Sequence, residues 1–370
     1  MATISQKTKG LYLTVPFRST GYEKKSAGSA LGTEITLKSE SEWLSIIEKF
    51  EDANFYQTRT FGKHSLGGSK LEHFIVKQNG IIVGAAEVRI LTVKFLNRGI
   101  AYIRWGPMWK LKNRKHDFTK LLLILKELRK EYVIKRKLKL RIFPECYSNN
   151  KYLISIYRKA GFKLNKHHPE EKTILLDISS DLNTIRNNFK RKWRANLKKA
   201  EAMNLDIIES YNNKLFNSFF SIYTEMQKLK NFKENIDVKS FAEMQHELPD
   251  KYKMRVFLAQ QNGKPAAALV GTAIGKTGIC LLAASNQLGR ETRASFKLHL
   301  HMIRWLKDMG CEYYDVGGID KEKNPGGYRF KSGLNGKEVS FIGTFDSCIC
   351  PVSWLITTAG ELFLKLKSLF

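Results

Sequence analysis

An internal repeat is the feature that most constrains the fold of this 370-residue chain. The stretch HFIVKQNGIIVGAA at residues 73–86 resembles RVFLAQQNGKPAAA at residues 255–268, and their shared Gln-Asn-Gly segments lie 183 positions apart. Both stretches are apolar alternations broken by Asn-Gly, the dipeptide most typical of a tight β-hairpin. Because the separation is about half of the chain, the repeat predicts two structurally related units.

The segments around the two hairpins also follow one order. An amphipathic helix is predicted before each hairpin, at residues 43–52 and 215–229, and a longer helix that leads into a strand follows each one. Each half ends in a related phrase, YRKAGF in the first half and YRFKSGL in the second. The sequence therefore predicts an α+β fold in which helix, antiparallel strands, helix, strand, short helix and strand occur twice.

Basic residues are concentrated in two stretches of a chain whose net charge is +28. Residues 94–141 contain sixteen Lys and Arg against three acids, and residues 186–199 contain seven basic residues and no acid. Such clusters favour a polyanionic partner, whether nucleic acid, a nucleotide-linked substrate or an anionic membrane. A generally lysine-rich surface is the alternative interpretation.

Cysteine and histidine patterns argue against a metal site. The five cysteines have no zinc-like spacing, and the eight histidines form no ligand pattern.

The sequence has no arrangement typical of a nucleophilic Ser or Cys with a His base, so a covalent enzyme intermediate is not expected. Without a signal peptide or an 18-residue apolar stretch, we expect a cytoplasmic monomer with reduced thiols. Contact with the inner membrane face stays open.

Several short motifs resemble those of FemAB-type proteins, which consist of two GNAT-like (acyl-CoA N-acyltransferase-like) units and move amino acids from aminoacyl-tRNA to amines of peptidoglycan precursors. The resemblance covers roughly residues 34–347. Its most specific parts, in chain order, are Phe55-Tyr56-Gln57, YIRWGP at residues 102–107, FKRKWRANLKKA at residues 189–200, YDVGG at residues 314–318 and Phe330-Lys331.

The resemblance implies a division of the chain. Residues 34–168 would form the first GNAT-like unit, on the acceptor side, and residues 169–347 the second, on the donor side. Residues 1–33 are rich in Ser, Gly, Lys and Thr with little periodicity, which indicates a flexible or loosely docked arm. The helical spacing of apolar residues in the C-terminal segment 348–370 predicts a helix that packs back on the first unit. Its apolar stripe would be core, with a membrane-interfacial role as the alternative; the stripe consists of Trp354, Leu355, Leu362, Phe363, Leu366 and Phe370.

The resemblance also assigns catalytic residues. Lys331 would contact the reacting ester or the tRNA terminus, where a fixed ammonium stabilises the negative charge on the carbonyl oxygen. Phe330 would lie beside it, although an aromatic here is as often part of a core. Asp315 would orient the attacking amine or accept its proton, or it would cap the following loop through an Asx turn. The alternative to a catalytic role is that Lys331 is a solvated loop residue.

Two further groups of residues follow from the same motifs. The residues expected to meet the acceptor are Tyr56, Gln57, Tyr102, Arg104 and Trp105. The residues expected to bind tRNA phosphates are Arg191, Lys192, Arg194, Lys198, Lys199 and Arg293. No cofactor is expected, since aminoacyl-tRNA would be the co-substrate.

The sequence departs from related patterns at two places. Neither half contains the glycine loop that holds the pyrophosphate of coenzyme A, and Gly289 stands alone in the second half. Lys110 stands near the Gly-Pro turn where family members often carry an acid, so the usual murein acceptor is in doubt. Two alternatives stay open: acyl-CoA-dependent N-acylation of an amino sugar or polysaccharide precursor, and a non-catalytic RNA-binding protein.

Overall fold

The computed structural model describes residues 30–65, 70–147, 150–165, 171–230 and 237–367. A capping box at Ser39 and Glu42 starts the first helix. The elements of the first half are β1 (Leu31–Thr36), α1 (Glu40–Ile47), α2 (Arg59–Ser65), β2 (Lys70–Gln78), β3 (Ile81–Val93), β4 (Arg98–Arg104), α3 (Phe118–Leu128), β5 (Lys139–Phe143), α4 (Lys151–Lys159) and β6 (Lys163–Asn165). A 3-10 turn at Phe55–Gln57 and a π-helical segment at Arg129–Lys135 complete it.

The rest of the chain repeats this order after one strand and two helices. Its elements are β7 (Lys172–Asp177), α5 (Leu182–Asn188), α6 (Arg191–Ala202), β8 (Asp206–Ser210), α7 (Lys214–Lys230), α8 (Val238–Glu247), β9 (Arg255–Gln261), β10 (Lys264–Ile274), β11 (Thr277–Ser285), α9 (Gln287–Glu291), α10 (Ala294–Asp308), β12 (Tyr313–Gly318), α11 (Pro325–Ser332), β13 (Lys337–Ser340), β14 (Thr344–Ser347) and α12 (Pro351–Lys367).

The strands form two seven-stranded sheets with equivalent orders, β1-β2-β3-β4-β5-β14-β6 and β8-β9-β10-β11-β12-β7-β13. The hairpins β2–β3 and β9–β10 turn at Asn79-Gly80 and Asn262-Gly263, where all four residues have positive φ. Such angles are those of the tight turn that Asn-Gly favours. In both sheets the fourth and fifth strands are parallel. The predicted tandem GNAT-like α+β fold is confirmed.

Counted as two repeats of seven strands, β1–β7 and β8–β14, the two halves exchange their seventh strands. β7 follows β6 in sequence but lies between β12 and β13 of the second sheet. β14 follows β13 in sequence but lies between β5 and β6 of the first sheet. The predicted boundary at residue 347 therefore needs correction, because β14 belongs to the first sheet. Residues 31–33, expected in the terminal arm, begin β1; residues 1–29 of that arm lie outside the described residues.

The last helix, α12, packs on β4 and β5 of the first sheet with its polar side. The Ser353 hydroxyl accepts the Gly99 N–H at 3.2 Å, and Glu361 pairs with Lys139 and Arg141. Trp354, Leu355, Leu362 and Phe363 are instead more than half exposed. The prediction that this apolar stripe is core is therefore wrong for these four residues. The side chains of Leu366 and Phe370 lie outside the described part of the chain.

One hydrophobic core joins the halves. It includes Trp43 and Phe50 from the first half, and Phe219, Val270 and Leu282 from the second. Within the described ranges, no helix has the length and apolar character needed to cross a membrane. The same ranges contain no group of His, Cys, Asp and Glu arranged to hold a metal ion.

Candidate active site

The two central parallel strands diverge in the second half only. β4 and β5 pair over five residues, up to Arg104 opposite Phe143. β12 pairs with β11 over three residues, ending at Ile279 opposite Asp315, although β11 continues to Ser285. Within the described residues the later part of β11 is thus paired with β10 alone. The pairing between β11 and β12 is thus interrupted at the end of β12, and we call this break in the ladder the gap.

Lys331 reaches this gap from α11. The side chain of Asn324 caps the helix by accepting the Gly327 N–H at 3.0 Å. The Lys331 ammonium donates a hydrogen bond to the Gly318 carbonyl at 2.8 Å. A Cβ on Gly317 would lie 3.4 Å from the Lys331 Nζ and 3.1 Å from the Cys280 carbonyl oxygen, and its φ of +81° also favours glycine. The structure therefore places Lys331 at the strand end, held by backbone.

Asp315 is buried beneath Lys331. Its carboxylate accepts the Gly317 N–H at 2.8 Å and a hydrogen bond from the Thr173 hydroxyl. Burial raises the pKa of the Asp315 carboxyl, while these two bonds and the Lys331 ammonium oppose the increase. The geometry is that of the predicted Asx turn, because the Asp315 carboxylate accepts a hydrogen bond from the backbone N–H of Gly317, two residues later. Thr173 belongs to the exchanged strand β7, so the strand exchange supports this turn.

Phe330 points into the core of the second half. Its ring lies 4.8 Å from Phe296 and 5.1 Å from His299, measured between ring centroids. This packing agrees with the prediction that Phe330 is a core residue and not with a contact between Phe330 and the reacting ester.

An aromatic cluster from both halves faces the end of β12. Trp105 contacts Tyr56 at 4.7 Å and Phe341 at 5.1 Å between ring centroids. The Arg104 guanidinium lies 4.5 Å from the Tyr56 ring centre. Tyr102 packs against the same cluster, as does Ile279 opposite Asp315. The predicted acceptor residues Tyr56, Tyr102, Arg104 and Trp105 are thus brought together beside the donor half.

Electrostatics connects these aromatic residues with the carboxylates around them. Burial raises the pKa of the Tyr56 hydroxyl, and the charges of Asp315 and Glu171 raise it further, while Arg104 opposes them. Burial likewise raises the pKa of Tyr102. Among the described residues, the buried Arg104 Nε and Trp105 Nε1 have no hydrogen-bond acceptor. Of these two residues, Trp105 also lines a cavity, so its indole is a buried donor next to open space.

Gln57 has a structural role. It is completely buried, and its amide donates to the Arg104 carbonyl at 2.6 Å and accepts the Glu87 N–H at 2.9 Å. The structure contradicts the prediction that Gln57 contacts the acceptor. Its amide instead fixes the end of β4 against β3, which positions Arg104.

Sequence reasoning missed a cavity of about 170 Å³ on the acceptor side of Trp105. Its lining includes Asp52, Trp109, Lys110 and Glu145. Desolvation raises the pKa of Glu145 to about 8, with Asp52 and Asp315 adding to the effect and Lys110 opposing it. The available signal was the position of Glu145 just after β5, since polar residues at such strand ends often serve a site.

The Asp52 carboxylate accepts the backbone N–H groups of Trp109 and Lys110, both at 3.1 Å. Burial raises the pKa of Asp52. Carboxylates from two other segments, Asp52 and Glu145, therefore lie near the position where the chain has Lys110 in place of the family's acid.

The basic helix α6 lies next to the helix that carries Lys331. Trp193 and Leu197 are buried beneath it, whereas five predicted phosphate-binding residues are exposed on its outer side: Arg191, Lys192, Arg194, Lys198 and Lys199. The Lys190 N–H donates to the Gly333 carbonyl at 2.9 Å, directly after α11. The Asn335 side chain donates to the Asn188 carbonyl at 2.9 Å. One connected surface thus runs from α6 to α11.

The helix α9 occupies the place where a coenzyme A loop would start. A Cβ on Gly289 would lie 2.2 Å from the Ala266 carbonyl oxygen, so this glycine is needed for packing against β10. Arg293 then takes the left-handed conformation, with φ of +57°, and begins α10. The one glycine of this segment therefore has a packing role.

Comparisons with known proteins agree with this architecture. The family model of the acetyltransferase (GNAT) domain matches residues 183–332. The UDP-N-acetylmuramoylpentapeptide-lysine N(6)-alanyltransferase of Weissella viridescens is 24% identical over 182 residues, which cover 48% of this chain and 53% of that enzyme. The chain thus spans about half the length of this relative.

Solved structures extend the fold similarity. The crystal structure of FemX matches with a TM-score of 0.73 and 16% identity, covering 87% of this chain and 99% of FemX. The C-terminal domain of a lysylphosphatidylglycerol synthetase from Agrobacterium fabrum matches with a TM-score of 0.50 and 11% identity, covering 83% of this chain and 92% of that domain. The comparisons confirm that this chain is a tandem GNAT-like protein that resembles the FemAB-type aminoacyltransferases.

Proposed function

We propose that the protein is an acyltransferase that moves an amino acid from aminoacyl-tRNA to the amine of a peptide or cell-envelope precursor. The observation that carries this proposal is the connection between α6 and α11. Phosphates bound along the exposed basic side of α6 would lead a nucleic-acid strand to α11, where Lys331 lies at the gap between β11 and β12. A pure RNA-binding surface would not require this arrangement. The reaction would take place in the cytoplasm, where charged tRNA is available.

The chemistry is aminolysis of an ester. The acceptor amine attacks the carbonyl carbon of the aminoacyl ester, and the carbonyl oxygen becomes negatively charged. The Lys331 ammonium, fixed by the Gly318 carbonyl, would stabilise that oxygen. The carbon–oxygen bond to the ribose then breaks, an amide bond remains, and the amine's proton passes to the departing ribose oxygen, which becomes a hydroxyl. Asp315 would act by holding the end of β12 rather than by transferring the proton.

The residues on the acceptor side suit a polar acceptor that carries an amine. Trp105, whose Nε1 has no hydrogen-bond acceptor among the described residues, and Glu145 both line the neighbouring cavity, where they suit a carbonyl oxygen and an amine of the acceptor. The Weissella viridescens relative is named for transfer to the lysine of UDP-N-acetylmuramoylpentapeptide. We propose this class of peptide as the first acceptor to assay.

A comparison of donors tests the proposal. Labelled total tRNA and acetyl-CoA are each titrated against the protein at 50 mM salt, the first by fluorescence anisotropy and the second by calorimetry. We expect tRNA to bind in the micromolar range or tighter and acetyl-CoA to give no saturable heat, because Gly289 packs against β10 and cannot form a pyrophosphate loop. Saturable micromolar binding of acetyl-CoA without tRNA binding would favour N-acylation from acyl-CoA instead.

A further inference from the structure

The C-terminal helix α12 is amphipathic in the reverse sense. A helix on the surface of a globular protein normally buries its apolar side and exposes its polar side. Here Ser353 and Thr357 are buried, and Glu361 pairs with Arg141 at 2.8 Å. Trp354 and Leu355 are 52% and 58% exposed. The apolar side of α12 thus faces away from the protein.

The first sheet explains this orientation. Along β5, Leu140 and Ile142 belong to the core of the first half, so the alternate residues Lys139 and Arg141 face the other side. Their charges are paired with Asp346 and Glu361, at distances between 2.7 and 3.4 Å. A charged layer therefore separates β5 from α12. The polar side of the helix must face this layer, because buried charges need partners.

The hairpin between β3 and β4 adds to the exposed apolar area. Phe95 is 100% exposed and Leu96 is 54% exposed at its tip. The hairpin lies next to the start of α12, because the Gly99 N–H donates to the Ser353 hydroxyl. We name the area formed by Phe95, Leu96, Trp354, Leu355, Leu362 and Phe363 the outer apolar surface. Soluble monomers rarely expose apolar side chains in such a group unless they serve an interaction.

The charge around this surface indicates its partner. Lys94 and Lys137 are exposed beside it, on the hairpin and on the loop that meets Ser353. They belong to the stretch 94–141, which has sixteen basic residues and three acids. Exposed Trp and Phe surrounded by Lys and Arg are typical of proteins that lie in the interface of an anionic bilayer. A protein partner would have to be strongly acidic around an apolar centre.

We propose that the outer apolar surface docks the protein on anionic lipid bilayers, with Phe95, Trp354 and Leu355 inserted among the headgroups. This inference does not depend on the donor or on the acceptor. The docked helix would lie in the plane of the interface, as its exposed apolar side and its protein-bound polar side require.

Vesicle binding tests this inference with the full chain. Sedimentation is measured with vesicles of phosphatidylcholine alone and with vesicles containing 30% phosphatidylglycerol, at 0.1 and 0.5 M salt. We expect binding to the anionic vesicles, and we expect the triple variant Phe95→Ser, Trp354→Ser, Leu355→Ser to bind about tenfold or more weakly. This variant keeps every charge, so an electrostatic contact alone predicts no change. Phe220→Ser, which alters an exposed aromatic on α7, is the matched control and should bind normally.

Three results would overturn the inference. The first is the absence of wild-type binding to anionic vesicles, and the second is equal binding by the wild type and the triple variant. The third is a dimer, detected by analytical ultracentrifugation, that the triple variant abolishes while vesicle binding stays the same; the surface would then serve a second copy of the chain. Unchanged circular dichroism and thermal midpoint would verify that the variant is folded, since all three side chains are exposed.

Discussion

The Lys331 ammonium is held at the end of β12 above a buried carboxylate. It donates a hydrogen bond to the Gly318 carbonyl, and the Asp315 carboxylate below it accepts hydrogen bonds from Thr173 and Gly317. The position of Lys331 follows from the Phe-Lys motif, so the sequence could predict it. The role of Gln57 could not be predicted, because its amide meets the Arg104 carbonyl 47 residues away. A motif records which residues occur together but not which of them is buried.

Removal of the Lys331 ammonium should slow the chemical step. We expect Lys331→Ala to lower turnover by roughly 10²-fold or more, the usual effect of losing one oxyanion-stabilising donor. Lys331→Arg should rescue poorly, because a planar guanidinium does not replace a compact ammonium. The measurement is single-turnover transfer with saturating charged tRNA. The control is Lys337→Ala, which changes an exposed lysine on β13. A wild-type transfer rate for Lys331→Ala would exclude Lys331 from catalysis.

His299 should make stability depend on pH. Burial and the nearby Lys331 ammonium lower the pKa of His299 to about 3. The Tyr314 hydroxyl oxygen lies 2.8 Å from the His299 Nδ1, within hydrogen-bond distance. Since the unfolded pKa is higher, this contribution to stability is complete above about pH 6.5 and is lost as the pH falls toward 3. For one such group the loss at pH 5 is about 2 kcal/mol. Urea unfolding at pH 7.5 and 5 should show a smaller difference for His299→Gln; an unchanged difference would contradict this.

At the scale of elements, periodicity predicted the hairpins and most of the helices but not which side of α12 meets the protein. The stripe of Trp354 and Leu355 shows that the helix is amphipathic, and core packing is the usual consequence. The decisive partners, Lys139 and Arg141, lie more than 200 residues earlier on β5. Nothing local in the helix sequence reveals that the sheet offers it a charged face.

Each exposed basic side chain of α6 should contribute its own phosphate contact to tRNA binding. Lys198→Ala should weaken tRNA binding modestly and lower the slope of log affinity against log salt by roughly 0.7 to 0.9, the effect of one lost phosphate contact. The transfer rate at saturating tRNA should stay unchanged. Binding titrations between 50 and 200 mM salt measure the slope, with Lys214→Ala on α7 as the control. An unchanged slope for Lys198→Ala would remove this residue from the tRNA contact.

At the scale of the whole molecule, the strand exchange ties the two halves together. The sequence predicted two related units correctly and placed β7 with the second, but it did not predict that β14 completes the first sheet, because the pattern of β14 alone fits either sheet. Thr173 of β7 bonds Asp315, and Asp346 of β14 pairs with Arg141 through two hydrogen bonds of 2.7 Å. The first sheet is therefore completed by residues at the far end of the chain.

Loss of the Asp346 carboxylate should destabilise the protein as a unit. Asp346→Ala leaves Arg141 and Lys139 largely buried with Glu361 as their remaining partner, and we expect a loss of about 2 to 3 kcal/mol in the free energy of unfolding. Because the halves share strands and a core, tryptophan fluorescence should report one transition at a lower urea midpoint. Asp308→Ala, an exposed acid on α10, should have little effect. Separate transitions for the two halves would contradict the coupling.

Photocrosslinking of the tRNA terminus tests the central claim most directly. A tRNA with 8-azidoadenosine at its 3′ end is irradiated with the protein, and the attached peptides are identified by mass spectrometry. If aminoacyl-tRNA is the donor, crosslinks should fall on the end of β12 or on α11 near Lys331, and unlabelled tRNA but not acetyl-CoA should suppress them. Crosslinks confined to the first half, or suppressed by acetyl-CoA, would contradict the proposal.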